Sequence, residues 1–273
     1  MRKVLYTVTL VLLLAVFAFS GFQVVNYFIE SKAQADEFEK LQQMKDNATQ
    51  ATEPPATTEA TKPTETIPTP SEETQDTTPI GPTEPQILPD YSELYKMNTD
   101  LAGWITIEGT DIDYPVMHTP DEPNFYLKKN FSGDYSAHGC IYAREECDLL
   151  EPSDNVTIYG HNMMDGSMFA ALHKYANKTK WEENSLIVFN TLYEYHVYKI
   201  FAVFKTTASM DEGFRYHQFV NAESEEDFDQ FIAECKDLSF YDTGITPVYG
   251  DKIICLSTCE YTHPQQNGRL VVA

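Results

Sequence analysis

The chain has 273 residues, enough for one substantial domain or two small ones. Its 42 acidic against 19 basic residues give a formal net charge of -23, which, without any basic patch, excludes a phosphate-backbone binder. Five cysteines, at 140, 147, 235, 255 and 259, are odd in number and lack the close regular spacing of a disulfide scaffold, so at least one free thiol is expected.

Arg2 and Lys3 precede an apolar stretch over residues 4–28. About 20 helical residues cross a bilayer's hydrocarbon core, so residues 1–30 are expected to be a membrane anchor, with the basic start in the cytoplasm and the rest outside. The alternative is a signal peptide cleaved near Ala18-Phe19-Ser20, but apolar residues continue through Val24, Val25 and Phe28, beyond the usual apolar core of such a peptide. Residues 37–46 are charged and helix-compatible, and residues 47–89 are dominated by Thr, Pro and Glu. Such a composition buries too little to offset its ordering entropy. Residues 31–89 are therefore expected to form a disordered spacer that holds a folded domain, residues 90–273, clear of the membrane.

Within that domain a short amphipathic helix is expected at 91–97. Strands are expected at 103–107, 113–118, 140–143, 155–159, 185–190, 193–204, 252–256 and 270–273, from β-branched and aromatic enrichment between turn signals. Helices are expected at 167–175 and 224–238, the second with Phe228, Phe231, Ile232 and Cys235 on one stripe and acids opposite. Eight short strands with few helices predict a mainly β, closed or nearly closed barrel rather than a doubly wound sheet. The sequence stops just after the last run, so its final strand is expected to be short and weak at its edge.

Three residues stand at the ends of these strands, where a rigid scaffold presents functional groups. Cys259 follows Leu256-Ser257-Thr258, His161 sits in Tyr159-Gly160-His161-Asn162, and Arg269 sits in Asn267-Gly268-Arg269-Leu270. A nucleophilic thiol needs an acid or base beside it and a group that steadies the oxyanion formed on attack at a carbonyl. Cys255, flanked by Ile253, Ile254 and Leu256, reads instead as a buried structural thiol. Cys255, Cys259 and His263 lack the fourth ligand of a structural zinc site, so no metal is expected. His118, His138, His173, His196 and His217 have no motif context and read as surface or satisfied interior residues.

With their flanks, the three motifs resemble those of sortases, membrane-anchored cysteine transpeptidases of Gram-positive bacteria, and specifically class B. The matching pieces are Leu256-Ser257-Thr258-Cys259, Arg269-Leu270-Val271-Val272, and Tyr159-Gly160-His161-Asn162-Met163 followed by Asp165-Gly166-Ser167-Met168-Phe169. The likeness covers residues 91–273. It implies a sortase-type eight-stranded β-barrel with an N-terminal helix and a long helix before the cysteine strand. It implies Cys259 as nucleophile, His161 as general acid and then base, and Arg269 as the group holding substrate and oxyanion, with no cofactor. Asn162, Ser257, Thr258 and Glu260, beside these residues, are the expected substrate-binding positions. The implied partners are secreted proteins bearing an Asn-Pro-x-Thr-like sorting signal and a peptidoglycan cross-bridge amine. The alternatives are a pilin-joining enzyme of the same class and a non-enzymatic anchored binding protein, of which the second leaves the three motifs unexplained. A papain-like hydrolase would place its cysteine early, at the start of a helix.

Overall fold

The structure is a computed structural model that describes residues 2–52, 85–208, 213–262 and 267–273. It opens with α1 (Arg2–Thr52), one unbroken helix. Its first half exposes Leu5, Leu12, Phe17 and Phe28, and it is long and apolar enough to cross a membrane. Its second half corrects the expectation of a disordered spacer over residues 31–89: residues 31–52 remain helical, and Phe38 and Leu41 are buried in the domain core. Gln34, Phe38, Leu41 and Lys45 recur at helical spacing and share the face turned to the domain. Composition hid this, because two large apolar residues suffice where the domain supplies the matching surface. Burying each contributes roughly 1.5–3 kcal/mol. The rest of the expected spacer, residues 53–84, lies outside the described residues, as does His263.

The chain re-enters at α2 (Pro89–Met97), started by a proline and anchored by buried Tyr91 and Leu94. Among the described residues, nine strands then form a single sheet: β1 (Leu101–Thr106), β2 (Asp113–Met117), β3 (Ile141–Ala143), β4 (Asn155–Tyr159), β5 (Leu186–Thr191), β6 (Val197–Lys199), β7 (Val203–Thr207), β8 (Ile253–Glu260) and β9 (Gly268–Val272). The spatial order is β6-β5-β1-β2-β3-β4-β8-β9-β7. The β2–β3 and β4–β8 pairs are parallel and the others antiparallel.

The two edge strands, β6 and β7, are separated in sequence by residues 200–202 alone, which span about 10 Å, so the sheet curls until its edges nearly meet. Those three residues pair in both directions. The Ile200 amide donates to the Ser185 carbonyl, and the amides of Phe201 and Ala202 donate to the Ala273 carbonyl. The single strand expected over 193–204 is two, which makes nine strands rather than eight among the described residues. The near-continuous apolarity there reflects residues 200–203 being buried at the closure. Nor is β9 a weak edge, since it pairs with β8 on one side and β7 on the other.

Two apolar layers follow from the alternation along the strands. Val156, Ile158, Ile254, Leu256, Leu270 and Val272 fill the barrel interior. Ile253, Cys255, Val271 and Phe204 face outward beneath α4 (Glu225–Leu238), meeting Phe228, Phe231 and Cys235. Ser224 caps α4 by accepting from the Asp227 amide, and three acids occupy its first turn, where they complement the helix dipole. The helix expected at 167–175 is a 3-10 run, Ala170–Ala176, followed by the unanticipated short helix α3 (Lys178–Glu183).

Candidate active site

Strand register brings the three separated motifs to one end of the sheet. Cys259 lies directly opposite Arg269 in the β8–β9 ladder. On the other side of β8, Tyr159 is in register with Ser257 and the Gly160 amide donates to the Ser257 carbonyl at 3.1 Å. His161 thus leaves β4 alongside the last residues of β8, where Cys259 sits. Odd-numbered residues of β8 face outward with Cys255, as Val271 does on β9, so Cys259 and Arg269 share that face.

Gly160 is required by packing. A Cβ there would stand 2.6 Å from both Ile141 and Phe169, closer than side chains approach. The chain can then turn tightly over Phe169, and the His161 carbonyl accepts from the Phe169 amide at 2.8 Å, closing a loop over residues 161–169. The His161 Nε2 lies 2.8 Å from the Leu127 carbonyl. A carbonyl only accepts, so Nε2 carries the hydrogen of this bond, and the other ring nitrogen, Nδ1, takes no part in it.

The end of β8 is held from its backbone. The Asn162 side-chain Nδ2 donates to the Cys259 carbonyl at 3.2 Å, and His173 Nε2 stands 3.0 Å from that carbonyl and 3.0 Å from the Asn162 Nδ2. Either His173 tautomer secures the carbonyl: a protonated Nε2 donates to it directly, and a bare Nε2 accepts the second Asn162 proton. His173 carried no motif signal, because its partner is a backbone atom 86 residues away. Tyr261 adds a bond to the Asn162 carbonyl at 3.3 Å. Arg269 is half-buried, its guanidinium donating to the Gly268 carbonyl at 2.9 Å. Tyr142 on β3 is buried, and burial pushes its hydroxyl up.

Of the expected substrate-binding residues, Asn162 alone belongs to this network. The Ser257 hydroxyl is buried and lies 2.6 Å from the Tyr216 hydroxyl, and Thr258 is buried toward the barrel interior. Glu260 is buried as well. Burial would raise its carboxyl, but bonds from Thr262 and Lys205 outweigh it and hold it below the usual carboxylate range. Ser257 and Glu260 brace the strand end through these bonds, and none of the three faces solvent.

Electrostatics separates the cysteines. All five are free thiols. Burial pushes the thiols of Cys140, Cys147, Cys235 and Cys255 up, against the thiolate that a nucleophile needs. Cys259 alone is partly exposed.

The chain is similar to known proteins over most of its length. Residues 105–273 match the sortase domain model. Sortase B of Staphylococcus aureus is 26% identical over 266 residues, covering 97% of this chain and 94% of that protein. Sortase B of Listeria monocytogenes is 32% identical over 189 residues, covering 68% of this chain and 74% of that protein. Among solved structures, a Staphylococcus aureus sortase B–substrate complex superimposes with a TM-score of 0.70 at 25% identity, covering 89% of this chain and 96% of that one. Sortase B from Bacillus anthracis in complex with AAEK1 gives 0.59 at 30% identity, covering 70% and 86%. The chain belongs to the sortase family of cysteine transpeptidases, with the sortase B fold.

Proposed function

We propose that the chain cleaves an Asn-Pro-x-Thr-like sorting signal after its threonine and joins the acyl group to a peptidoglycan amine. The Cys259 thiolate attacks the threonine carbonyl carbon, and the tetrahedral oxyanion collapses to a thioester as the C–N bond breaks. His161, as imidazolium, protonates the departing amine. The incoming amine then attacks the thioester, His161 takes its proton, and Cys259 leaves as thiolate. Arg269 holds the substrate carbonyl and steadies the negative charge in both tetrahedral states, a role suited to a permanently charged donor. Asn162 fixes the backbone beneath Cys259.

The observation that carries this reading is the placement of the one partly exposed thiol opposite Arg269 and beside the exit of His161 from β4. The apolar half of α1 serves as a single-pass anchor, with Arg2 and Lys3 inside and the catalytic domain outside the cell. The sortase B–substrate complex among its structural relatives supports a peptide substrate for this chain as well.

The test is a panel of fluorogenic Asn-Pro-x-Thr and Leu-Pro-x-Thr peptides with and without a nucleophilic amine. Cleavage of the Thr-x bond with amine-dependent product on the Asn-Pro-x-Thr peptides is expected. Preference for Leu-Pro-x-Thr would overturn the motif assignment, and peptide binding without turnover would overturn the transpeptidase reading of this site.

A further inference from the structure

The unbroken course of α1 has a geometric consequence for the whole domain. Exposed apolar residues run from Val4 to Ile29, about 39 Å of helix at 1.5 Å per residue. A hydrocarbon core takes about 30 Å and the headgroup layers bring the bilayer to about 40–45 Å. With Lys3 at the inner face, residues 24–29 therefore cross the outer headgroup layer. The domain already touches the helix at that level. The Tyr27 ring stacks on His138 with centroids 6.0 Å apart, and one turn later the Ser31 hydroxyl donates to Asp165 at 2.6 Å. Asp165 also accepts from His138 at 2.9 Å and from the Ser167 hydroxyl at 2.6 Å. Burial would raise its carboxyl, and these bonds hold it well below the usual range.

The contact continues up the helix without a break. Gln34 is buried, accepting from the Ser136 hydroxyl at 2.7 Å, and Phe38 packs on Tyr114 at 4.9 Å. Gln42 donates to the Asp113 carbonyl at 2.7 Å, and Lys45 pairs with the Asp113 carboxylate at 2.9 Å while lying 4.7 Å over the Trp104 ring. No glycine or proline interrupts residues 22–52, so no hinge separates the apolar half from the docked half. Residues 53–84 leave from the far end of α1 and return at α2, and both of these helices pack on the domain. The docked half of α1 itself joins the apolar half to the domain.

We propose that α1 seats the catalytic domain directly on the outer bilayer surface, with His138 and the loop at 163–166 nearest the headgroups. The partner of this face is a lipid surface. The loop presents an exposed apolar side chain there: Met164 is 92% exposed. The same loop carries Asn162 and follows His161, so the catalytic end of the sheet is held a fixed, short distance above the membrane. The proposal rests on α1 being the membrane anchor.

The full chain, with Cys259→Ala to leave one reactive thiol, is placed in vesicles of phosphatidylcholine and phosphatidylglycerol. A bimane probe is attached through Met164→Cys or, at the other end of the sheet, through Tyr249→Cys. Lipids with spin labels at headgroup level are expected to quench the Met164 probe several-fold more than the Tyr249 probe. Inserting a flexible Gly/Ser segment after Glu30 is expected to abolish the difference, while replacing residues 53–84 by a shorter Gly/Ser connection leaves it unchanged. A vesicle-bound chain with equal, weak quenching at both probes overturns the seating and leaves the anchor intact. Quenching at Met164 that emerges only when residues 53–84 are shortened overturns the seating and makes residues 53–84 the spacer that sets the domain's height. A chain that does not float with the vesicles overturns the anchor reading itself.

Discussion

Cys255 and Cys259 lie on one strand and one face, four residues apart, yet their surroundings are opposite. Cys255 is sealed beneath α4 among Phe204, Val271 and Cys235, and burial pushes its thiol up. Cys259 emerges where α4 no longer covers the sheet, opposite a guanidinium and held through its carbonyl by Asn162 and His173. In the proposed reaction the same residue type is structural at one end of β8 and the nucleophile at the other. Position along the strand decides its role, because cover and polar neighbours change within about 13 Å.

Exchanging the two cysteines' contributions separates those roles. Cys259→Ala is expected to lower kcat/KM by more than ~10³-fold with an unchanged melting temperature, since it removes the attacking atom and almost no packing. Cys255→Ala should do the reverse: a loss of about 1–2 kcal/mol in denaturant unfolding, with turnover per folded molecule retained. Loss of turnover in a folded Cys255→Ala protein would break the contrast.

The supports of Cys259 come next in size. Asn162→Ala and His173→Ala are each expected to reduce kcat/KM about 10-fold, and the double variant to fall little further, because both secure a single carbonyl. Full additivity in that cycle would mean that they act separately.

The smallest effect concerns Glu260, whose folded-state carboxyl is depressed. Such a group contributes stability above its ordinary titration range, and that contribution is lost as the pH falls through the folded value. Glu260→Gln is expected to cost about 1 kcal/mol near pH 7, with the gap to the parent protein closing in acid. Unfolding curves across pH check this, and a gap that widens in acid would reverse the sign.

Much of this was legible in the sequence because it depends on local pattern. The strand at Asn155–Tyr159 was placed residue for residue, and the stripe Phe228, Phe231, Ile232 and Cys235 is the buried face of α4. The three motif residues stand at strand ends, where their flanks placed them. What could not be read depends on partners distant in the chain. His173 acts on the carbonyl of residue 259, the break at 200–202 exists to close the barrel, and Phe38 and Leu41 become core residues only when the domain is present. Ser257 and Glu260 carry polar side chains at motif positions, yet Tyr216 and Lys205 satisfy them internally.

The account stands on Cys259 forming the covalent link to substrate. The direct measurement is intact-protein and peptide-level mass spectrometry of the enzyme mixed with an Asn-Pro-x-Thr peptide, before and after an amine chase. One acyl adduct on the peptide containing Cys259, discharged by the amine and absent in Cys259→Ala, is the predicted result. Turnover with the adduct on another residue, or persisting in Cys259→Ala, would contradict it.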